Sequence, residues 1–229
     1  MFAVIFEVTP KKERWDDYLG LAKFLKPKLE AIDGFIDNER FSSKRTEGRL
    51  LSLSTWRDEK SVIRWRTHGG HHGVQEKGRF EIFEDYRLRV GEVTEDTGLP
   101  QGVKIEQQRF DETEIGNAKM VTLTELTPVQ GGTVGAGPDG LPAHLGLETR
   151  TVGLIEHEAF ESITHPGKLI LLMSWRDAET AESWTPAAPD AATSLRHRRV
   201  RVIRDYGMFD RREAPQFYPE VKPGGRAAS

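Results

Sequence analysis

The chain repeats itself. The segment Glu39-Arg40-Phe41-Ser42-Ser43 leads through Gly48-Arg49-Leu50-Leu51 to Trp56-Arg57-Asp58 and Trp65. The segment Glu158-Ala159-Phe160-Glu161-Ser162 leads through Gly167-Lys168-Leu169-Ile170 to Trp175-Arg176-Asp177 and Trp184, each pair separated by 119 residues without a gap. The openings also correspond, Phe2–Val8 with Thr9-Pro10 against Met120–Leu126 with Thr127-Pro128, at a separation of 118. Self-similarity of this kind constrains the fold before any motif does. It divides the chain into repeat 1 (1–95), a polar linker (96–118) holding Gly98-Leu99-Pro100 and Gly116-Asn117, a diverged repeat 2 (119–212) and an extended tail (213–229).

Within repeat 1, the apolar, β-branched run Phe2–Val8 predicts a strand, and Thr9-Pro10 predicts a helix start with threonine as the cap and proline at the first helical position. Trp15, Tyr18, Leu19, Ala22, Leu25, Leu29 and Ile32 recur at three- and four-residue spacing, one apolar stripe that Pro27 should kink and Gly34 should end. Phe35–Ser42 and Leu50–Trp56 read as a hairpin of two strands. Asp58 caps a second helix bearing Val62 and Trp65, which Gly69-Gly70 should interrupt before a further helical stretch from 71 to 80 and a last strand, Tyr86–Val93. The order β-α-β-β-α-β is the ferredoxin-like split unit, an antiparallel sheet with both helices on one face. The bare faces of two such sheets can cover each other, so the expected fold is α+β: two tandem ferredoxin-like repeats closed as one barrel with helices outside.

Repeat 2 keeps the strands and loses helix. Gly131, Gly132, Gly135, Gly137 and Pro138 fall where its first helix should run, a penalty of roughly 7 kcal/mol at about 1 per glycine and about 3 for proline. That segment is expected to be a loop with a short helix at 141–147, and the second helix should stop after Trp184, before Pro186 and Pro189. A strand at 198–206 closes the unit.

The absence of cysteine removes disulfides, thiolate metal sites and thiol nucleophiles. A net charge of −3 argues against a nucleic-acid partner, and no apolar run approaches the ~20 residues of a membrane span. Met1–Val8, with Glu7 inside it, is too short for a signal peptide, so the expected compartment is cytoplasmic.

The run from Phe41 through Gly48, Leu50-Leu51-Ser52-Leu53-Ser54, Trp56, Trp65-Arg66, His68 and His71 to Tyr86-Arg87-Leu88-Arg89-Val90 resembles the antibiotic biosynthesis monooxygenase domain. That domain forms a dimeric α+β barrel, so this chain resembles such a dimer joined covalently. The resemblance implies a small-molecule substrate and O2 handled inside the barrel, in some members without metal or flavin. Such chemistry uses an electron-rich phenol or anthrone whose carbanion reduces oxygen. The protein then supplies a base, a cation and a dry cavity. Related barrels degrade haem, dehydrate aldoximes or isomerise lactones, and the fold does not choose among them.

His68, His71 and His72 beside two glycines are the densest candidate constellation, against the plainer reading of a solvated helix end. His71 matches the family position six residues after the helix tryptophan and is the expected base; a metal at His68 and His71 has no third ligand nearby in sequence. Arg87 and Arg89 alternate along one face of the last strand, as do Arg199 and Arg201 in repeat 2. If those faces are interior, the arginines ring the cavity and favour an anion; if exterior, they are surface ion pairs. Trp65, Tyr86 and His157 complete the substrate-binding candidates, although core packing is the plainer reading of every tryptophan.

The expected function is thus cofactor-free oxygenation of a small aromatic or polyketide-like compound by a monooxygenase-like barrel. The alternatives are haem binding or degradation, which the lack of a first-strand asparagine (Ile5-Phe6-Glu7) weakens, a lyase or isomerase, and a non-catalytic ligand-binding protein. One pocket is expected, in repeat 1, lidded by residues 131–140. Whether tandem chains pair further into a homodimer is open.

Overall fold

The structure, a computed structural model, describes residues 1–129, 134, 137–148, 150–187 and 192–222. Repeat 1 contributes β1 (Phe2–Pro10), α1 (Trp15–Glu30), β2 (Phe35–Ser43), β3 (Leu50–Trp56), α2 (Glu59–Thr67), α3 (Gly69–Lys77) and β4 (Phe83–Asp96). Repeat 2 contributes β5 (Met120–Pro128), α4 (Gly140–His144), β6 (Leu154–Ser162), β7 (Leu169–Trp175), α5 (Ala178–Glu182) and β8 (Ala192–Gly207). The strands close an antiparallel barrel in the order β1-β3-β2-β6-β7-β5-β8-β4, with the helices outside. The repeats meet twice, β2 against β6 and β4 against β8.

Alternation along each strand sends one set of side chains inward. Ala3, Ile5, Leu51, Leu53 and Phe41 meet Val121, Leu123, Ile170, Leu172 and Phe160 in the barrel centre. On each side of this apolar waist lies a layer of ions. In one, Glu7 accepts from Arg89 and Arg49 at 2.5 Å each, Arg89 donates to Ser174 Oγ at 2.7 Å, and Arg87 grips Asp205 at 2.6 and 2.9 Å. In the other, Glu125 accepts from Arg198 and, at 2.6 Å, from Lys168; Arg198 reaches Thr55, and Arg196 grips Asp96 at 2.7 and 2.9 Å. The layers correspond position by position, and each takes partners from both repeats. Burial pushes the Glu7 carboxyl up, but the neighbouring Arg89 and Arg49 outweigh it and hold it below the usual carboxylate range.

Several local expectations need correction. No helix starts at Pro10: the strand runs through it, with a bulge at Thr9/Pro10 against β4, and a short 3-10 turn precedes α1. Helix α1 runs through Pro27 to Glu30, and Leu19, placed on its apolar stripe by spacing, is exposed. The break between α2 and α3 lies at His68, whose backbone is extended (φ −63°, ψ 124°); Gly69 and Gly70 begin α3. A single π-helical turn, Gly78–Ile82, leads into β4. Helix α4 is shorter than expected, and α5 stops at Glu182, before Trp184 rather than after it. Helix α1 ends at Glu30 with Ala31 as its cap, and Gly34, four residues on, turns the chain into β2 with φ +87°, where a Cβ would lie 1.9 Å from Ser61 Oγ; Gly153 stands in the same relation to Thr180.

Candidate functional site

A cavity of about 190 Å³ lies between the outer face of the repeat-1 sheet and α1, α2 and α3. It therefore lies outside the barrel, whereas the resemblance places the site within it; the interior holds the apolar waist and the two ion layers, with a second, polar pocket of about 190 Å³ lined by Phe41, Leu53, Glu125, Lys168, Arg196 and Arg198. The floor of the outer cavity follows from strand register, which sets Tyr206, Leu88, Phe6, Ser52 and Arg40 side by side across β8, β4, β1, β3 and β2. Val90, Val4, Ser54 and Asn38 form the adjacent row. Tyr18, Leu21, Ala22 and Leu25 of α1 and Val62 and Trp65 of α2 roof it.

The cavity exists because repeat 1 keeps a sixteen-residue α1 above the sheet. In repeat 2 the same space is filled by Leu141, Leu145 and Trp184 packed on Leu171, Met173 and Trp175. Equal strand registers make Leu171 the counterpart of Ser52, Met173 of Ser54, Ala159 of Arg40 and His157 of Asn38.

His71 lines the cavity. Its ring stacks on Trp65 at 4.1 Å between centroids and 12° between planes, and its Nδ1 lies 3.0 Å from the Trp65 carbonyl oxygen. A carbonyl only accepts, so Nδ1 carries the proton and Nε2 keeps its lone pair. Burial lowers the His71 pKa to about 4, with the charges of His68 and His72 acting in the same direction against the hydrogen bond to Trp65, so the imidazole is neutral near pH 7.

The C-terminal segment completes the walls. Arg79 holds it by donating to the carbonyl oxygens of Met208 at 2.7 Å and Pro219 at 3.2 Å. Glu213 accepts from Thr113 Oγ1 and from the backbone N–H groups of Glu114, Ile115 and Asp205, tying linker to tail. Gln216 donates to Gln75, and Arg211 donates to the Tyr86 hydroxyl at 2.7 Å with its guanidinium over the rings of Tyr206 and Tyr218. Burial pushes the Tyr206 phenol up to about 12. No Asp or Glu is among the cavity's lining residues.

Of the residues singled out by sequence, His71, Trp65 and Tyr86 meet here, and the others do not. His68 packs beside Trp65 without lining the cavity, and His72 stacks on Tyr218 at its outer edge. Arg87 and Arg89 face the barrel interior, neutralised by Asp205, Glu156 and Glu7. Arg199 and Arg201 are not their counterparts: β8 turns these two outward onto Glu95 and Glu92, while Arg196 and Arg198 take the equivalent interior positions, because strand register separates them from Arg87 and Arg89 by 109 residues. His157 is half-buried on β6, away from the cavity. Val134 of the glycine-rich segment packs against the repeat-2 core, and residues 130–133, 135 and 136 lie outside the described residues. The lid expected from 131–140 thus falls mostly outside the described residues; Gln216 and Tyr218 of the tail are on the described walls. Sequence reading missed Arg40, Arg66, Arg211, Tyr18, Tyr206 and Tyr218. Arg40, Ser52 and Ser54 had a signal, since these are places where the repeats differ in polarity.

Among the described residues, no helix is long and apolar enough to cross a membrane. The family model for the antibiotic biosynthesis monooxygenase matches residues 1–77. A Pyricularia oryzae protein named jasmonate monooxygenase is 44% identical over 224 residues, 96% of this chain and 99% of that protein. The uncharacterized Bacillus subtilis protein YqjZ is 32% identical over 92 residues, 40% of this chain and 78% of that one. Among solved structures, an aldoxime dehydratase in complex with butyraldoxime has a TM-score of 0.54 at 11% identity, covering 88% of this chain and 79% of its own, a likeness of fold alone. With a relative of that identity along nearly its whole length, this chain belongs to the antibiotic biosynthesis monooxygenase family.

Proposed function

We propose that the protein is a monooxygenase of a small, largely apolar jasmonate-like molecule, acting in the repeat-1 cavity without haem, flavin or metal. One observation carries this reading: the cavity is mainly apolar, lacks acidic lining and contains a neutral histidine with a fixed tautomer. The full-length similarity to a jasmonate monooxygenase supports the substrate class. At about 190 Å³ the cavity is smaller than the ~300–1,000 Å³ that drug-sized ligands occupy, so it suits a compact substrate.

His71 Nε2 takes a proton from an activated C–H, and the imidazolium that forms stands beside the new carbanion in a low-dielectric space, where that charge pair stabilises itself. The carbanion then passes electrons to O2. An activated methylene that becomes a carbonyl, with release of one water, supplies all four electrons that O2 requires. Hydroxylation of an unactivated carbon instead needs two electrons from an external reductant.

The test is oxygen uptake with jasmonate and with an anthrone, each with and without NADPH, for the wild type and His71→Ala. Uptake that falls about 100-fold or more in the variant is expected for a lost general base. Uptake unchanged by the substitution would refute His71 as the base, and a Soret band on addition of haemin would refute the haem-free reading.

A further inference from the structure

We propose that Arg40 is a carboxylate anchor, so that the cavity selects small apolar acids bound as anions. This inference rests on reading the repeat-1 cavity as the substrate site and deepens that reading by assigning its specificity to a residue.

Arg40 stands at one lateral end of the floor, four inter-strand steps from Tyr206, about 19 Å at roughly 4.8 Å per step. Its side chain is half-buried and lines the cavity. Among the described residues it forms no ion pair, whereas the interior arginines and lysine are each matched to a carboxylate. The phenol facing it, Tyr18, is raised by burial and drawn the other way by the Arg40 charge and by a hydrogen bond with the Arg40 guanidinium, which leaves the other guanidinium donors for a ligand. A cation held partly out of water, with no acidic residue lining the same cavity, has donors to give a carboxylate in the bidentate geometry for which guanidinium is suited.

The other two cations of the cavity occupy the opposite end. Arg211 is committed to the Tyr86 hydroxyl and the Gln216 carbonyl, whereas Arg66 has its Nε buried with no partner among the described residues and is the rival cation that the Arg66→Gln arm of the test addresses. Between the two ends run Ser52, Phe6 and Leu88, a mainly apolar strip that matches the body of an amphiphilic acid. The repeats give an internal comparison. Where repeat 2 has closed this space, the counterpart of Arg40 is Ala159 and that of Ser52 is Leu171. The cation is present in the repeat that keeps the cavity and absent from the one that fills it.

Calorimetric titration of jasmonate, methyl jasmonate, octanoate and methyl octanoate into the wild type, Arg40→Gln, Arg40→Lys and Arg66→Gln tests the assignment. The expected result is an acid over its ester in the wild type, a loss of about 10- to 100-fold for both acids in Arg40→Gln with ester binding unchanged, and partial retention in Arg40→Lys. Arg66→Gln should weaken acid and ester alike. Octanoate bound through Arg40 while jasmonate is neither bound nor oxidised would sink the jasmonate reading and leave the anchor standing. Equal acid affinity in the wild type and Arg40→Gln, no acid binding by the wild type, or an acid-selective loss confined to Arg66→Gln overturns the anchor.

Discussion

His197 offers a quantitative check on the repeat-2 core. It lies on β8 with its ring 5.8 Å from that of Trp184, Nδ1 2.8 Å from Thr124 Oγ1, and Nε2 buried with no partner among the described residues. Burial first, then the charge of Arg199, lowers its pKa to about 4. In the unfolded chain an imidazole titrates near 6.5, so between about pH 6.5 and 4 the unfolded state binds more protons. The contribution to stability is complete above about pH 6.5 and is lost as pH falls towards 4. At about 1.4 kcal/mol per unit, the loss is roughly 2–3 kcal/mol by about pH 4.5. Leucine stands at the corresponding position of repeat 1, Leu88, so His197→Leu is the natural probe. That variant leaves the Thr124 hydroxyl unpartnered, which costs about 1–3 kcal/mol at every pH. The offset does not affect the slope. Denaturant unfolding from about pH 7.5 to 4.5 should therefore show the wild type losing roughly 2–3 kcal/mol more than His197→Leu across the range, with His71 and the carboxylates titrating in both. Parallel curves would refute the reasoning, because they would mean that His197 protonates as easily folded as unfolded.

His71, lowered likewise, sets the pH profile of the proposed reaction: kcat/KM in the wild type should fall on the acid side at about pH 4, and a limb near 6.5 would mean that the base titrates in water. Ser52→Leu installs the repeat-2 residue Leu171 on the cavity floor; ligand affinity should fall at least about tenfold with no loss of thermal stability, and undiminished affinity would place the ligand elsewhere. Gly34→Ala requires a left-handed backbone for alanine, about 1–2 kcal/mol, and also displaces the Ser61 hydroxyl in the first turn of α2; a thermal midpoint equal to that of the wild type would contradict the close approach.

The duplication, the order of the elements and the closure of two sheets into one barrel were legible in the sequence, because they depend on periodicity and on a self-match without gaps. The shortness of the described helix α4 in repeat 2 was legible for the same local reason, since glycine and proline act on their own backbone. Start and stop points were less so: β1 continues through Pro10 because β4 offers partners there, and α2 breaks at His68 rather than at the glycines beside it. The first depends on what lies opposite in space.

The site divides the same way. His71, Trp65 and Tyr86 were found because a histidine or aromatic next to a helix break or at a strand start marks itself locally. The fate of the arginines was decided by tertiary structure. Alternation put Arg87 and Arg89 on one face, but only barrel closure brought Glu7 and Asp205 against them and cancelled their charge. Repeat 2 has ten fewer residues between its third and fourth strands than repeat 1, an offset of 119 at Trp56 and Trp175 becoming 109 at Arg89 and Arg198, so that Arg196 and Arg198, rather than Arg199 and Arg201, became their counterparts. Arg40 stood in the repeat that revealed the fold, yet its meaning depended on α1 standing above it and on no carboxylate pairing with it among the described residues. The sequence by itself determined which segments pair, because that information is carried by neighbours along the chain. Which charges are cancelled and which remain available to a ligand was set by residues brought together from distant parts of the chain, through register and closure.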